Sequence, residues 1–240
     1  MATTAALNPA PGTRKLIAPL WHTVVLLMIL AALSAFGLVL QNRQTSSDQI
    51  FSSHSGIMLR FYLPVLVGEW LVVLFIWAGL RKRGMTIKEL IGGRWKRLQD
   101  VAVDLTLGIG IWGAMLAIGY GLSRLLGPSH ARSTNVILPQ SQLEIVFWLV
   151  LSATAGLVEE LIFRGYLQTQ FARFGLPVGL AVIAQALVFA LGHAYEGWNA
   201  VIVILVFALL FGAVAAWRKS LRPGIIGHAW YDMAVIFFPR

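Results

Sequence analysis

Residues 143–172 read LEIVFWLVLSATAGLVEELIFRGYLQTQFA. The run exceeds the ~20 apolar residues that cross a hydrocarbon core as a helix, so it either tilts or protrudes. Inside it lie Glu159, Glu160 and Arg164. A charged side chain at membrane depth is costly and needs a reason. As adjacent residues of a helix, Glu159 and Glu160 point about 100° apart. Glu160 and Arg164 stand four apart on one face and can pair. That leaves Glu159 without this partner, in an apolar setting where a carboxylate becomes a usable general base.

Working outward, six further apolar runs flank this one, at 16–40, 61–80, 101–126, 177–194, 198–217 and 223–238. The last is short and is expected to enter a bilayer without crossing it fully. Of the 240 residues, 58% are hydrophobic and only 12% charged, and the mean hydropathy is +0.76. That charged share is about half the soluble norm, which excludes an ordinary soluble enzyme and a disordered chain. The fold expected is all-α: a polytopic transmembrane helical bundle of about seven membrane segments. Residues 1–13, MATTAALNPAPGT, read as a disordered tail. Residues 14–142 are read as the N-terminal transmembrane helices, and 143–240 as the helices that carry the chemistry.

There are no cysteines, so disulfides, thiolate metal sites and a Cys nucleophile are excluded. The net charge is +9. In a soluble protein this would suggest nucleic acid; here it is better read as basic loops facing anionic lipid, with no nucleic-acid partner. Arg14 and Lys15, the loop 81–100, and Arg218, Lys219 and Arg222 fall on one side if the chain crosses seven times. The positive-inside rule then places the N-terminus in the cytoplasm. Within that loop, 85–99 could form a short interfacial helix with Trp95 at headgroup depth, although Gly92-Gly93 weakens it.

Two more segments carry polar groups. FALGH (189–193) brings His193 near a helix end, and HAWYD (228–232) puts His228 and Asp232 on one helix face. An Asp so placed can hold an imidazole in one tautomer. RFGLP (173–177) is a strong turn signal. Glu159 and His193 lie nearly equal distances from it, roughly 21 and 24 Å at 1.5 Å per residue. In an antiparallel hairpin they can face each other at one depth. His228, five residues past Pro223, then requires either that this hairpin protrude or that the last loop dip into the membrane. Glu69, in LVGEWLVV, is a further intramembrane acid without an assigned role. Trp198 and Trp230 read as anchors or packing, and Gly108 and Gly110 as close-packing sites.

EELIFR (159–164), FALGH and HAWYD together resemble the three motifs of the CPBP family, the CAAX-protease and bacteriocin-processing (Abi) membrane proteins: EExxxR, FxxxH and Hxxx followed by Asn or Asp. The resemblance covers about residues 150–232. It implies an intramembrane endopeptidase acting on a peptide or protein substrate in the membrane of a bacterial cell. In that family's terms Glu159 and His193 activate water, and Glu160 with Arg164 forms the supporting pair beside Phe189. His228 and Asp232 line the oxyanion side or orient the substrate. Prenyl-processing members usually carry Asn where Asp232 stands, which argues against prenylated substrates, because an ionised Asp cannot donate to an oxyanion. No cofactor is favoured. A divalent metal such as zinc would have Glu159, His193 and His228 as ligands. The rival readings are a proton- or ion-coupled transporter, built on intramembrane Glu and His, and a catalytically silent scaffold or immunity-type protein.

Overall fold

The structure is a computed structural model that describes residues 15–43, 57–92, 95–127 and 138–237. The tail expected at 1–13 lies outside the described residues. Among those residues every regular element is helical. The chain runs through α1 (Leu20–Arg43) and a π-helical turn, Met58–Tyr62, that leads into α2 (Leu63–Arg81). Next come the short α3 (Ile87–Ile91) and the long α4 (Leu98–Leu126). Then α5 (Gln142–Glu159) continues through a π-helical segment, Glu160–Leu167, into α6 (Gln168–Arg173). The last three helices are α7 (Val178–Gly192), α8 (Trp198–Arg218) and α9 (Arg222–Ala234).

Among the described residues, five helical stretches are long and apolar enough to cross a membrane: Leu20–Val39, Met58–Arg81, Leu98–Leu126, Gln142–Arg173 and Trp198–Arg218. The apolar α7 is shorter. Each of the seven apolar runs thus carries a helix, and the protein is an all-α integral membrane bundle. Large apolar side chains point outward from it, among them Met28, Leu59, Leu74 and Trp198, as lipid-facing surfaces require.

The interfacial helix expected over 85–99 is α3 alone. Thr86 caps it by accepting from the Glu89 backbone N–H, and the Glu89 carboxylate accepts from the Thr86 N–H at 2.7 Å, a capping box. The helix stops at Gly92, whose φ of +73° suits glycine. A Cβ there would strike the Lys219 carbonyl. Trp95 is clasped as well as half-exposed. Its indole N–H donates to Asp104 at 2.8 Å, the Arg218 guanidinium meets the same carboxylate at 2.8 Å, and Arg222 lies over the indole ring. Asp104 is 1% exposed; the intramembrane acids picked out from sequence did not include it.

Glycines let α9 sink between its neighbours. A Cβ on Gly156 of α5 would stand 2.7 Å from the Ala229 backbone nitrogen. Gly108 of α4 presses on Ile226 and on the Pro223 carbonyl, whereas Gly110 has nothing near it, so close packing holds for the first and not the second. The Leu221 N–H donates to the Ile91 carbonyl, and Gly165 lies against Leu221 and Leu90. From Gly165 to Arg173 the helix runs on for roughly 12 Å past this contact.

One buried network ties α1 to this hairpin. His22 Nε2–H donates to the Phe75 carbonyl at 2.8 Å, which leaves Nδ1 of the neutral ring to accept from the Tyr166 hydroxyl at 2.9 Å. The Gln170 amide donates to Thr23 and to the Ala18 carbonyl. Every member except Phe75 is buried.

Candidate active site

At Glu160 the α-helix widens into π geometry. Single π turns inside α-helices are rare and frequent at functional sites. All eight residues of the segment are buried. Glu160 is wholly buried and meets Arg164 Nη1 at 2.9 Å. A buried ion pair persists only when its other surfaces are also satisfied. Here the guanidinium is also held between two ring faces, 4.5 Å from the Phe189 centroid and 5.1 Å from that of Phe211. Arg164 is thus a core residue, 1% exposed.

His228 arrives from α9 onto the same carboxylate. Its Nδ1 lies 3.4 Å from Glu160 Oε1, and its Nε2 lies 3.7 Å from Glu159 Oε2 and 3.6 Å from Asp232 Oδ2. Three carboxylates around one imidazole suit a doubly protonated ring that donates from both nitrogens. Small residues allow this approach: a Cβ on Gly224 would sit 2.7 Å from Glu160 Oε2. The Trp148 indole donates to the Asp232 carbonyl at 3.0 Å and holds the far end of the motif.

His193 lies one turn beyond Phe189, just past the end of α7. Its Nδ1 stands 2.9 Å from the Phe189 carbonyl. A carbonyl can only accept, so Nδ1 carries the proton and Nε2 of the neutral ring is left with a free lone pair. The Phe189 ring touches the His193 ring at 4.7 Å and faces His228 edge-on at 6.3 Å. Phe189 thus stands between both histidines and Arg164.

A cavity of about 820 Å³ gathers these groups. Glu159, Arg164, His193, His228 and Asp232 all line it, and Glu160 lies beneath, sealed from it. Glu159 remains 24% exposed, toward this space. The partner drawn closest to Glu159 is His228, on α9; sequence spacing had set Glu159 opposite His193, which lines the same cavity. Tyr195 and Glu196, in the short turn Ala194–Glu196 after α7, are part of the lining, and so is Glu69 from α2. The signal for the first two was adjacency to FALGH. For Glu69 it was an acid in mid-helix.

Among the described residues no group of three His, Asp or Glu side chains is arranged to hold a metal ion. Glu159, His193 and His228 share a cavity without converging on one point, so they do not fit a ligand set in this arrangement. No step below is routed through a metal.

Residues 141–234 match the model of the family described as type II CAAX prenyl endopeptidase Rce1-like. The match spans about two-fifths of the chain and contains all three motifs. No curated protein and no solved structure gives a significant match. The family is one of proteases, which supports a peptide hydrolase whose substrate is a protein at the membrane. On the three motifs and this match, the helices from residue 141 to 234 are similar to those of the CPBP family of CAAX proteases.

Proposed function

We propose that the protein is an intramembrane endopeptidase of a bacterial cytoplasmic membrane, with its N-terminus in the cytoplasm, that hydrolyses a peptide bond with water activated by Glu159 and His193. The observation that carries this is the shared cavity. It presents Glu159 as a part-exposed carboxylate, His193 with a free Nε2 and His228 placed to donate, over the buried Glu160–Arg164 pair of the π segment. Glu159 accepts a proton from water as the oxygen attacks the scissile carbonyl. His193 Nε2 accepts a hydrogen bond from the same water and orients it. His228 donates to the developing oxyanion, and Asp232 holds the His228 ring. The proton held by Glu159 then passes to the leaving nitrogen as the C–N bond breaks. Glu160 and Arg164 touch neither water nor peptide; they position His228 and the π segment.

The reading gives no part to a metal ion. Its test is proteolysis by purified, detergent-folded protein on membrane-anchored and C-terminal peptides, read by mass spectrometry, with wild type and Glu159→Gln compared with and without a strong chelator. Cleavage that Glu159→Gln abolishes and chelator leaves intact is the expected result. Equal cleavage by the two proteins would remove Glu159 as the base, and loss with chelator would move the chemistry to a metal.

A further inference from the structure

Apart from Glu196, which lies in the turn just after FALGH, Glu69 is the one acid of the cavity lining that the three motifs do not account for. It comes from α2, outside the matched residues 141–234. Its Oε2 is shielded from solvent and has no hydrogen-bond partner among the described residues. Burying a carboxyl oxygen without a donor costs on the order of 1–3 kcal/mol, so such a group is retained where something outside the chain completes it. The positive groups of the cavity are already engaged. His228 lies among Glu159, Glu160 and Asp232. Arg164, the single Lys or Arg in the cavity lining, is held by Glu160 and pressed between Phe189 and Phe211. Much of the remaining lining is apolar or aromatic, including Phe61, Val65, Met115 and Trp148. In such surroundings a carboxylate gains most from a partner that brings positive charge with it.

We infer that Glu69 is a specificity-determining residue that receives a basic side chain of the substrate, a lysine or arginine close to the scissile bond. This rests on the endopeptidase reading above and adds the substrate class to it. The cavity has room for such a residue beside the peptide backbone. The other acids that line it, Glu159, Glu196 and Asp232, repel an acidic side chain or a terminal carboxylate from the same space.

The test uses the full chain in detergent and three twenty-residue apolar peptides that differ at one central position, Lys, Gln or Glu. Binding is followed by fluorescence anisotropy and cleavage by mass spectrometry, for wild type, Glu69→Gln and Glu69→Lys, with thermal unfolding as the check on folding. Wild type is expected to bind and cleave the Lys peptide about tenfold better than the Gln peptide, as for one matched charge in a desolvated site. Glu69→Gln should lose that preference while still cleaving the Gln peptide. Glu69→Lys should turn the preference toward the Glu peptide. The same preference in wild type and Glu69→Gln, or no preference for Lys in wild type, overturns the inference. Selective binding of the Lys peptide that depends on Glu69, without cleavage by any protein, would keep Glu69 as the recognition residue and remove the protease reading.

Discussion

Glu160 and His228 stand 68 residues apart in the chain and 3.4 Å apart in space, carboxylate oxygen to imidazole Nδ1. The same Glu160 oxygen receives Arg164. One wholly buried carboxylate therefore joins the π segment to α9, and the position of His228 depends on a residue that no substrate reaches.

That arrangement predicts different losses from the two adjacent glutamates. Glu159→Gln should fold as wild type does, because Glu159 is part-exposed to the cavity and ties no helix by a short bond. Its cleavage rate should fall at least about 100-fold, the usual contribution of a general base. Matching thermal unfolding curves beside lost turnover would bear this out; a large fall in unfolding temperature would not.

Arg164→Met leaves Glu160 charged in the core with only its longer contact to His228. Breaking a buried pair in this way costs about 3–5 kcal/mol, so the variant should unfold well below wild type in detergent. The double variant Glu160→Leu with Arg164→Met should recover most of that stability but not the cleavage, since His228 then lacks its Nδ1 partner. A double variant no more stable than the single one would count against the pair as the source of the loss.

Much of this was legible in the sequence, and the limits have physical causes. The apolar runs announce helices because backbone polar groups must be satisfied internally in lipid. Glu160 and Arg164 announce their pairing through i,i+4 spacing, a local property. The third partner of Glu160 is a tertiary fact: His228 reaches it because Gly224 and Gly156 remove the side chains that would intervene, and a lone glycine in an apolar helix has no visible partner in sequence. Gly108 and Gly110 read alike, yet one is packed and the other open. Asp104 escaped notice because its counter-ion, Arg218, is 114 residues away. The His22 network escaped for a similar reason, with Tyr166 144 residues away.

Gly156 yields a steric prediction. Any side chain there meets the α9 backbone at Ala229, one residue past His228, and backbone cannot rotate aside. Gly156→Val should therefore displace His228 and lower both stability and cleavage, while Gly110→Ala, with open space around it, should change neither. A fully active Gly156→Val would show that α9 can shift without cost. Cleavage and unfolding measured on both variants decide the matter.

The network at the other end of the π segment can be tested without touching the cavity. Tyr166→Phe removes the hydroxyl that His22 Nδ1 and Thr23 share. Loss of a buried partner of this kind costs about 1–3 kcal/mol, to be read as a drop in unfolding temperature. The relative cleavage of the Lys, Gln and Glu peptides should be unchanged, since Tyr166 does not line the cavity.

The walls of the cavity come from two stretches, one inside the family match and one outside it. Residues 141–234 bring the family motifs; Phe61, Val65 and Glu69 of the earlier helices close the space from the opposite side. On the proposal that Glu69 reads the substrate, change in the earlier helices alters the diet of the enzyme while the groups proposed to react stay in place. A lineage of such proteins could diversify in what it cuts far faster than in how it cuts, and a chimera joining these later helices to foreign earlier ones would carry the same chemistry to a different menu.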